Sequence, residues 1–233
     1  MPHETFKAVN AEGDEAVVVT ARDAKHAWDD SYTGEAPPGW DIGRPQPAYV
    51  RLADEGRLTG RVLDAGCGTG EHALLAASRG ADVIGIDLAP TAIERCRAKA
   101  AERGVSARFE VADVLDLPRL SHLLHLQRLP HQDRRTVDTV IDSGVFHVFD
   151  DEDRARYVAG LAAVLRPGGT CYLMCFSDRQ PGDWGPRRVR AEELRAAFSD
   201  GWTVESLTAD TFDINPVHEV TRVQAWLAVI RRG

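Results

Sequence analysis

Val62-Leu-Asp-Ala-Gly-Cys-Gly-Thr-Gly70, followed seventeen residues later by Asp87, decides the reading of this chain. The apolar approach from Val62 predicts a short buried strand, and Gly66, Gly68 and Gly70 predict a turn whose backbone amides can approach a ligand with no β-carbon in the way. His72 to Ser78 predicts a helix ended by Gly80, a residue suited to the left-handed conformation that closes helices. Ala81 to Ile86 predicts a second strand that delivers Asp87 at its carboxyl end, where a carboxylate can accept both hydroxyls of a ribose. Strand, glycine turn, helix, strand and acid together make a unit that holds a nucleoside.

The glycine spacing narrows the ligand. A dinucleotide site needs its third glycine where Glu71 stands, so that a pyrophosphate can lie on the helix N-terminus. A carboxylate there disfavours a phosphate and tolerates a cationic amino-acid nucleoside. This GxGxG arrangement resembles motif I of class I S-adenosylmethionine (SAM) methyltransferases. That resemblance implies that Asp64 and the turn hold the methionine end of the cofactor. The competing classes are a nicotinamide-dependent oxidoreductase, which Glu71 argues against, and a non-catalytic methyltransferase-like binding subunit.

Composition sets the outer bounds. The 233 residues suffice for one α/β domain with a buried core, and 43% hydrophobic content is that of a globular protein. A formal charge of −8 gives no basic footprint for nucleic acid or an anionic membrane. No apolar run approaches the length of a membrane span, and Met1-Pro-His-Glu-Thr5 has no apolar signal core. Cys67, Cys96, Cys171 and Cys175 show neither disulfide nor zinc spacing, so a reduced, cytoplasmic protein is expected, as monomer or homodimer.

Along the chain, residues 1–25 read as a loosely held extension with one apolar stretch at Ala16 to Val19, and 26–233 as one domain. Residues 26–50 carry Trp28, Tyr32, Trp40 and Tyr49 around the turn-rich Ala36 to Pro47. Proline and glycine exclude regular helix from that centre, and the aromatics predict a cover packed over something. From Val62 onward strand and helix alternate: a helix from Pro90 to Arg103, strands at Arg108 to Ala112 and Val137 to Ile141, and a helix from Asp150 to Leu165 stopped by Pro167-Gly-Gly. Thr170 to Phe176, Thr203 to Leu207 and Gln224 to Arg231 read as strands, with a short helix from Ala191 to Phe198 between the first two. The pattern predicts a doubly wound, Rossmann-like sheet of seven strands, mostly parallel with an antiparallel terminal strand. An insertion at 119–135 reads as a short amphipathic helix through Leu120, Leu123, Leu124 and Leu126. Its His122, His125 and His131 lack a carboxylate or cysteine at helical spacing, so no metal is expected there.

Polar residues recur at successive strand ends: Asp64 to Gly70, Asp87, Asp113, and Asp142-Ser143-Gly144. Ligands of open α/β sheets bind outside the carboxyl ends of the strands. Asp113, with Val114 beside it, suits the amine and face of an adenine, although an aspartate there also serves as a helix cap.

The resemblance widens here. Asp138-Thr-Val-Ile-Asp-Ser-Gly-Val-Phe-His-Val-Phe149, with the acid-capped helix and Leu-Arg-Pro-Gly-Gly behind it, is similar to motifs IV and VI of class I methyltransferases. Trp40-Asp-Ile-Gly-Arg-Pro-Gln-Pro47 is similar to the entry segment of their small-molecule branch, which includes thiopurine, thiol, halide and heterocyclic-toxin methyltransferases. The insertion 119–135 and residues 1–25 have no counterpart in that pattern. The resemblance implies cofactor contacts from Trp40, Arg44, Asp64, Gly66, Cys67, Gly68 and Gly70. Further along it implies Asp87, Leu88, Asp113, Val114, Asp142 and Ser143.

Methyl transfer from a sulfonium needs mainly an in-line approach and exclusion of water. Trp40 and Tyr32 are the expected lid, aromatic faces suiting a cation, with Arg44 anchoring either the cofactor carboxylate or the lid itself. His147, flanked by Phe146, Val148 and Phe149, stands where an acceptor arrives and is the candidate general base for a hydroxyl or nitrogen acceptor. Phe176, the loop Ser177 to Pro186 with Trp184, and Asn215 to His218 are expected to line the acceptor pocket.

Overall fold

The computed structural model describes residues 24–122, 136–217 and 219–233. The N-terminal extension up to residue 23, the insertion from 123 to 135 with its Leu123, Leu124, Leu126, His125 and His131, and His218 lie outside the described residues. Seven strands form one sheet in the order β3-β2-β1-β4-β5-β7-β6. They are β1 (Arg61–Ala65), β2 (Asp82–Asp87), β3 (Arg108–Val111), β4 (Val137–Ser143), β5 (Leu165–Phe176), β6 (Trp202–Val217) and β7 (Val220–Arg232). β1 to β5 pair in parallel, and β7 runs antiparallel between β5 and β6. The chain's last strand is thus antiparallel, as expected, but interior to the sheet.

Strand order reverses between β1 and β4, which puts the switch point beside the glycine turn. Helices cover both faces. α2 (Pro47–Asp54), α3 (Glu71–Ser78) and α4 (Pro90–Arg103) bury Tyr49, Leu52, Leu74, Ile93 and Cys96 against one face. α5 (Asp151–Val164) and α6 (Ala191–Ala197) bury Tyr157, Leu161, Val164 and Leu194 against the other. Pro90 opens α4 where a missing N–H costs nothing, and Gly104, at φ 62°, closes it. Asp150 caps α5 by accepting the Asp153 N–H at 2.8 Å.

Three departures from the sequence reading have physical causes. The cover is not irregular throughout: α1 (Ala24–Thr33) precedes the turns, and α2 begins at Pro47, where proline is the favoured first helical residue. β6 continues to Val217 instead of ending at Leu207. As the edge strand with a register shift between Asp213 and Val217, it tolerates Pro216 and shows little of the alternation that marks a half-buried strand. Pro167-Gly168-Gly169 does not end a helix cleanly before a new strand. It forms the irregularity in β5 where the pairing steps from Val137↔Leu165 to Thr139↔Thr170. The inserted stretch opens as a 3-10 segment, Val114–His122, with Pro118 inside it.

Candidate active site

The glycine turn is built on bonds from its neighbours. Cys67 N–H donates to the Ile86 carbonyl at 2.8 Å, Gly68 N–H to Asp87 Oδ2 at 2.8 Å and Gly70 N–H to the Cys67 carbonyl at 2.9 Å. Those three amides are therefore committed within the protein, not presented to a ligand as the sequence suggested. What the glycines supply is bare Cα surface at left-handed φ. A β-carbon on Gly66 would stand 2.2 Å from Val145 Cγ2, and one on Gly70 would stand 2.8 Å from Cys96 Sγ. On Gly68 it would meet only the Tyr32 hydroxyl, at 3.2 Å.

Asp87 also accepts the Ala89 N–H at 2.9 Å, so it braces the turn and the start of α4 together. Burial pushes its carboxyl above the ordinary value, and the surrounding amides oppose that rise. Leu88 follows it half-buried. Asp64 is fully enclosed, and neither carboxylate oxygen has a hydrogen-bond partner among the described residues. Burial pushes it up to about 8, with only the Ala73 backbone opposing. A buried carboxylate left without a partner beside a turn of bare glycines fits a cationic amino-acid end of a ligand, whose ammonium would complete it. The described residues thus suit SAM.

Glu71 needs correction. It does not confront a ligand but is held by Lys99 at 2.8 Å and bidentately by Arg103 at 2.8 and 2.9 Å. Lys99 also donates to Thr69 Oγ1, whose hydroxyl donates to Asp41 of the cover at 2.8 Å.

Two further strand-end acids are engaged by the backbone that follows them. Asp142 is fully buried and accepts the Val145 and Phe146 N–H groups and the Tyr157 hydroxyl, at 2.8, 3.2 and 3.0 Å. Its backbone carbonyl takes the Tyr49 hydroxyl at 2.6 Å, so tyrosines from opposite faces of the sheet converge on one residue. Expected as a cofactor contact, Asp142 instead shapes the loop after β4, and burial pushes its carboxyl up to about 7. Asp113 caps the following turn by accepting the Leu115 N–H at 2.8 Å, while Val114 packs against the core and Ser143 sits half-buried beyond Asp142.

The cover closes on the turn through tertiary bonds. Trp40 Nε1 donates to the Tyr32 hydroxyl at 3.0 Å, and Trp28 meets Trp40 edge to face at 5.6 Å. Trp40 is 42% exposed, so it is the outer layer and Tyr32 the inner one. Arg44 pairs with Asp213 of β6 at 2.8 Å, which ties the cover to the edge strand in the second of its two expected roles. Gln46 exchanges two 2.8 Å bonds with the Asp213 backbone. Asn215, expected in the acceptor pocket, ties the cover instead, donating through Nδ2 to the Pro38 and Asp41 carbonyls at 2.9 and 2.8 Å. Asp41 and Gln46 lay within the entry segment with no role assigned, Asp213 and Lys99 in no motif at all, and pairs so distant in sequence leave no local signal.

Beyond β4 and β5 stands an aromatic wall. His147 meets Phe176 edge to face at 5.1 Å and Phe212 at 6.2 Å, and Phe176 meets Trp184 perpendicularly at 6.5 Å. Phe212, in β6, was absent from the sequence reading. The Phe176 N–H donates to His147 Nδ1 at 2.9 Å, which leaves the ring proton on Nε2, close to Gly144. Burial and the Arg154 and Arg188 charges hold the imidazole down to about 3. His147 is therefore a neutral ring whose basic nitrogen is occupied, the opposite of a poised general base.

Fold and site together define a SAM-dependent methyltransferase, and comparison with known proteins agrees. Residues 62–169 match the methyltransferase domain family. The chain is 36% identical over 190 residues, 78% of each protein, to the 2-heptyl-1-hydroxyquinolin-4(1H)-one methyltransferase of Mycobacteroides abscessus, and 25% identical over 203 residues to a probable thiol methyltransferase of Arabidopsis thaliana. That second match covers 85% of this chain and 83% of the plant protein. A protein solved in connection with conversion of a disulfide bond into a thioacetal group during echinomycin biosynthesis superposes with a TM-score of 0.74 at 39% identity, over 90% of this chain and 92% of that one. A SAM-dependent methyltransferase of Anabaena variabilis shares the fold at TM-score 0.72 and 18% identity, over 99% of this chain and 100% of that one. The chain belongs to the SAM-dependent methyltransferase family.

Proposed function

We propose that the chain methylates a sulfur, oxygen or nitrogen of a small aromatic or heterocyclic molecule. The observation that carries this reading is the aromatic wall of His147, Phe176, Phe212 and Trp184, which adjoins the glycine turn through the Val145–Gly66 contact. These rings are packed on one another and nearly buried, and an aromatic, water-poor surround of that kind suits a flat acceptor. The hydroxyquinolone and thiol named for its relatives favour the same class. A net charge of −8 argues against a nucleic-acid acceptor. No helix among the described residues is long and apolar enough to cross a membrane, and a cytoplasmic monomer or homodimer is the state we propose.

SAM supplies a methyl group on a sulfonium, already activated toward displacement. The protein's own tasks are orientation and exclusion of water. Asp64 holds the ammonium end, Asp87 braces the turn and reaches the ribose side, and Val114 packs at the adenine side. Tyr32 and Trp40 close over Gly68. Phe176 and Trp184 align the acceptor, and His147, with Nδ1 taken by the Phe176 amide and Nε2–H by the Gly144 backbone, holds the wall and does not take the acceptor's proton.

Methyl transfer from labelled SAM to a panel of thiols, hydroxyquinolones, phenols and halides tests the reading. Labelled product with aromatic thiols, phenols or hydroxyquinolones is expected. Transfer to none of them by a protein that binds SAM would overturn it.

A further inference from the structure

Arg188 stands in the loop behind the aromatic wall, and its surroundings are unusual. Its neighbour Val189 is fully buried and locked to the end of β5, donating to the Phe176 carbonyl at 3.0 Å. That anchor lays the Arg188 guanidinium over the Phe176 ring at 5.4 Å and near the Trp184 ring at 5.8 Å. Its donors go to four backbone carbonyls of its own loop: Pro186 and Trp184 at 2.7 Å, and Gln180 and Gly182 at 3.3 Å. No carboxylate forms an ion pair with it among the described residues, although most of the other arginines at this end of the sheet have one. Asp183, on the same loop, is the acid whose field reaches it, and burial favours loss of its charge. A second guanidinium, Arg154, lies 4.4 Å over Phe146 with Nε and Nη2 unpartnered, its nearest carboxylates 3.8 and 4.0 Å away.

The wall between these two cations holds His147, neutral and with its basic nitrogen taken by the Phe176 amide. No residue on this wall is free to accept a proton, while behind it stand the Arg188 charge, with no ion pair among the described residues, and Arg154, paired only at 3.8 and 4.0 Å.

We infer that the acceptor is taken up as its anion, a thiolate, phenolate or N-oxide-type oxygen, and that Arg188 is the specificity-determining residue that selects this form. The inference rests on the wall being the acceptor site. The acceptor's lone pair forms the new bond to the methyl carbon while the carbon–sulfur bond breaks, its electron pair staying on sulfur. The proton has already left to solvent, so no base is needed in the step. Across one ring layer, about 9 Å from the acceptor's oxygen or sulfur, a guanidinium in a partly desolvated site still favours the anion by about tenfold. The carbonyl cradle keeps the group in place without neutralising it.

The test uses the full chain saturated with S-adenosylhomocysteine, with 4-nitrophenol and 4-nitrothiophenol as coloured probes and their methyl ethers as uncharged isosteres. Wild type is expected to bind each anion at least tenfold more tightly than its ether. The ionisation of bound 4-nitrophenol, read from its absorbance, should fall by about one pH unit relative to the free compound. Arg188→Met should lose both the preference and the shift, and Arg188→Lys should keep most of each. Because each preference is a ratio within one variant, a loosened loop that weakens both ligands leaves it readable. Equal binding of anion and ether by wild type, an unchanged ratio in Arg188→Met, or no binding of either probe overturns the inference. If the labelled-methyl panel yields product while these ratios stay flat, the inference about Arg188 fails alone. If the panel yields none, the acceptor-site reading fails with it.

Discussion

Asp87 Oδ2 accepts the Gly68 amide at 2.8 Å, so the acid that ends β2 is a structural brace of the glycine turn before it is a ligand contact. With the proposed ribose contact, loop conformation and cofactor affinity would be coupled through this one side chain.

Asp87→Ala should therefore do two things. It leaves the Gly68 and Ala89 amides without their acceptor, which costs about 1–3 kcal/mol of stability. It should also weaken S-adenosylhomocysteine tenfold or more, as loss of a charge-assisted contact does. Asp87→Asn, which retains one acceptor oxygen, should recover much of the stability and little of the affinity. Thermal unfolding and calorimetric titration of both variants separate the effects, and unchanged affinity in both would remove Asp87 from the site.

The buried Asp64 makes binding pH-dependent. Its carboxyl, raised to about 8, is largely protonated at neutral pH, whereas an ammonium requires the ionised form. Affinity for S-adenosylhomocysteine should thus rise with pH up to about 8 and then level, with proton release on binding near pH 7. Calorimetry in buffers of different ionisation enthalpy measures that release. Asp64→Asn should abolish it, and a pH-independent wild-type affinity would count against the contact.

Opposing titrations shape stability as well. His72 and His147, held down to about 4 and 3, contribute stability that is present above their unfolded value and lost as pH falls toward those figures. Asp64 and Asp142, raised to about 8 and 7, act the other way: their contribution is present below the ordinary carboxyl value and lost as pH rises through 7 to 8. For these four groups the effects nearly cancel between about pH 4 and 6.5, and stability declines on both sides. Denaturant unfolding from pH 4 to 9 should show a broad maximum in the mildly acidic range, and a maximum above pH 8 would contradict the assignment.

His147 offers a direct contrast between base and brace. If it is a brace, kcat should show no inflection at an ordinary histidine value. His147→Asn, whose side-chain oxygen can accept the Phe176 amide, should keep kcat within a few fold. His147→Ala should lose about 1–3 kcal/mol of stability from the orphaned amide. A wild-type inflection near pH 6.5 that vanishes in both variants, with kcat reduced about 10²-fold or more, would restore the general-base role.

Asn215 holds the cover from the edge strand. Asn215→Ala removes two bonds to the Pro38 and Asp41 carbonyls, worth about 0.5–1.5 kcal/mol each. Cleavage within residues 34–46 should quicken several fold, and S-adenosylhomocysteine should restore protection by mass action. Limited proteolysis with and without the ligand reads this. Identical digestion of variant and wild type would show that the cover does not depend on this tie.

The sheet was legible in the sequence wherever local rules act over a few residues. Pro90 and Gly104 bound α4 at the residues expected, and Asp150 with its following acids announced α5. β6 was legible only to Leu207, because an edge strand has one neighbour to bury against and need not alternate cleanly.

By itself the sequence determined the strand–glycine–helix unit, the positions of Asp64 and Asp87, and the aromatic character of the cover, because backbone sterics and hydrophobic period are local properties. Only the tertiary structure decided what those groups do. It turned Asp142 inward beneath two tyrosines, neutralised Glu71 with two cations from α4, spent the His147 lone pair on a backbone amide, and left Asp64 and Arg188 without ion partners among the described residues. Whether a charge is paired, capped or left uncompensated depends on chain segments 32 to 169 residues away meeting at one point, and no window along the chain contains that information.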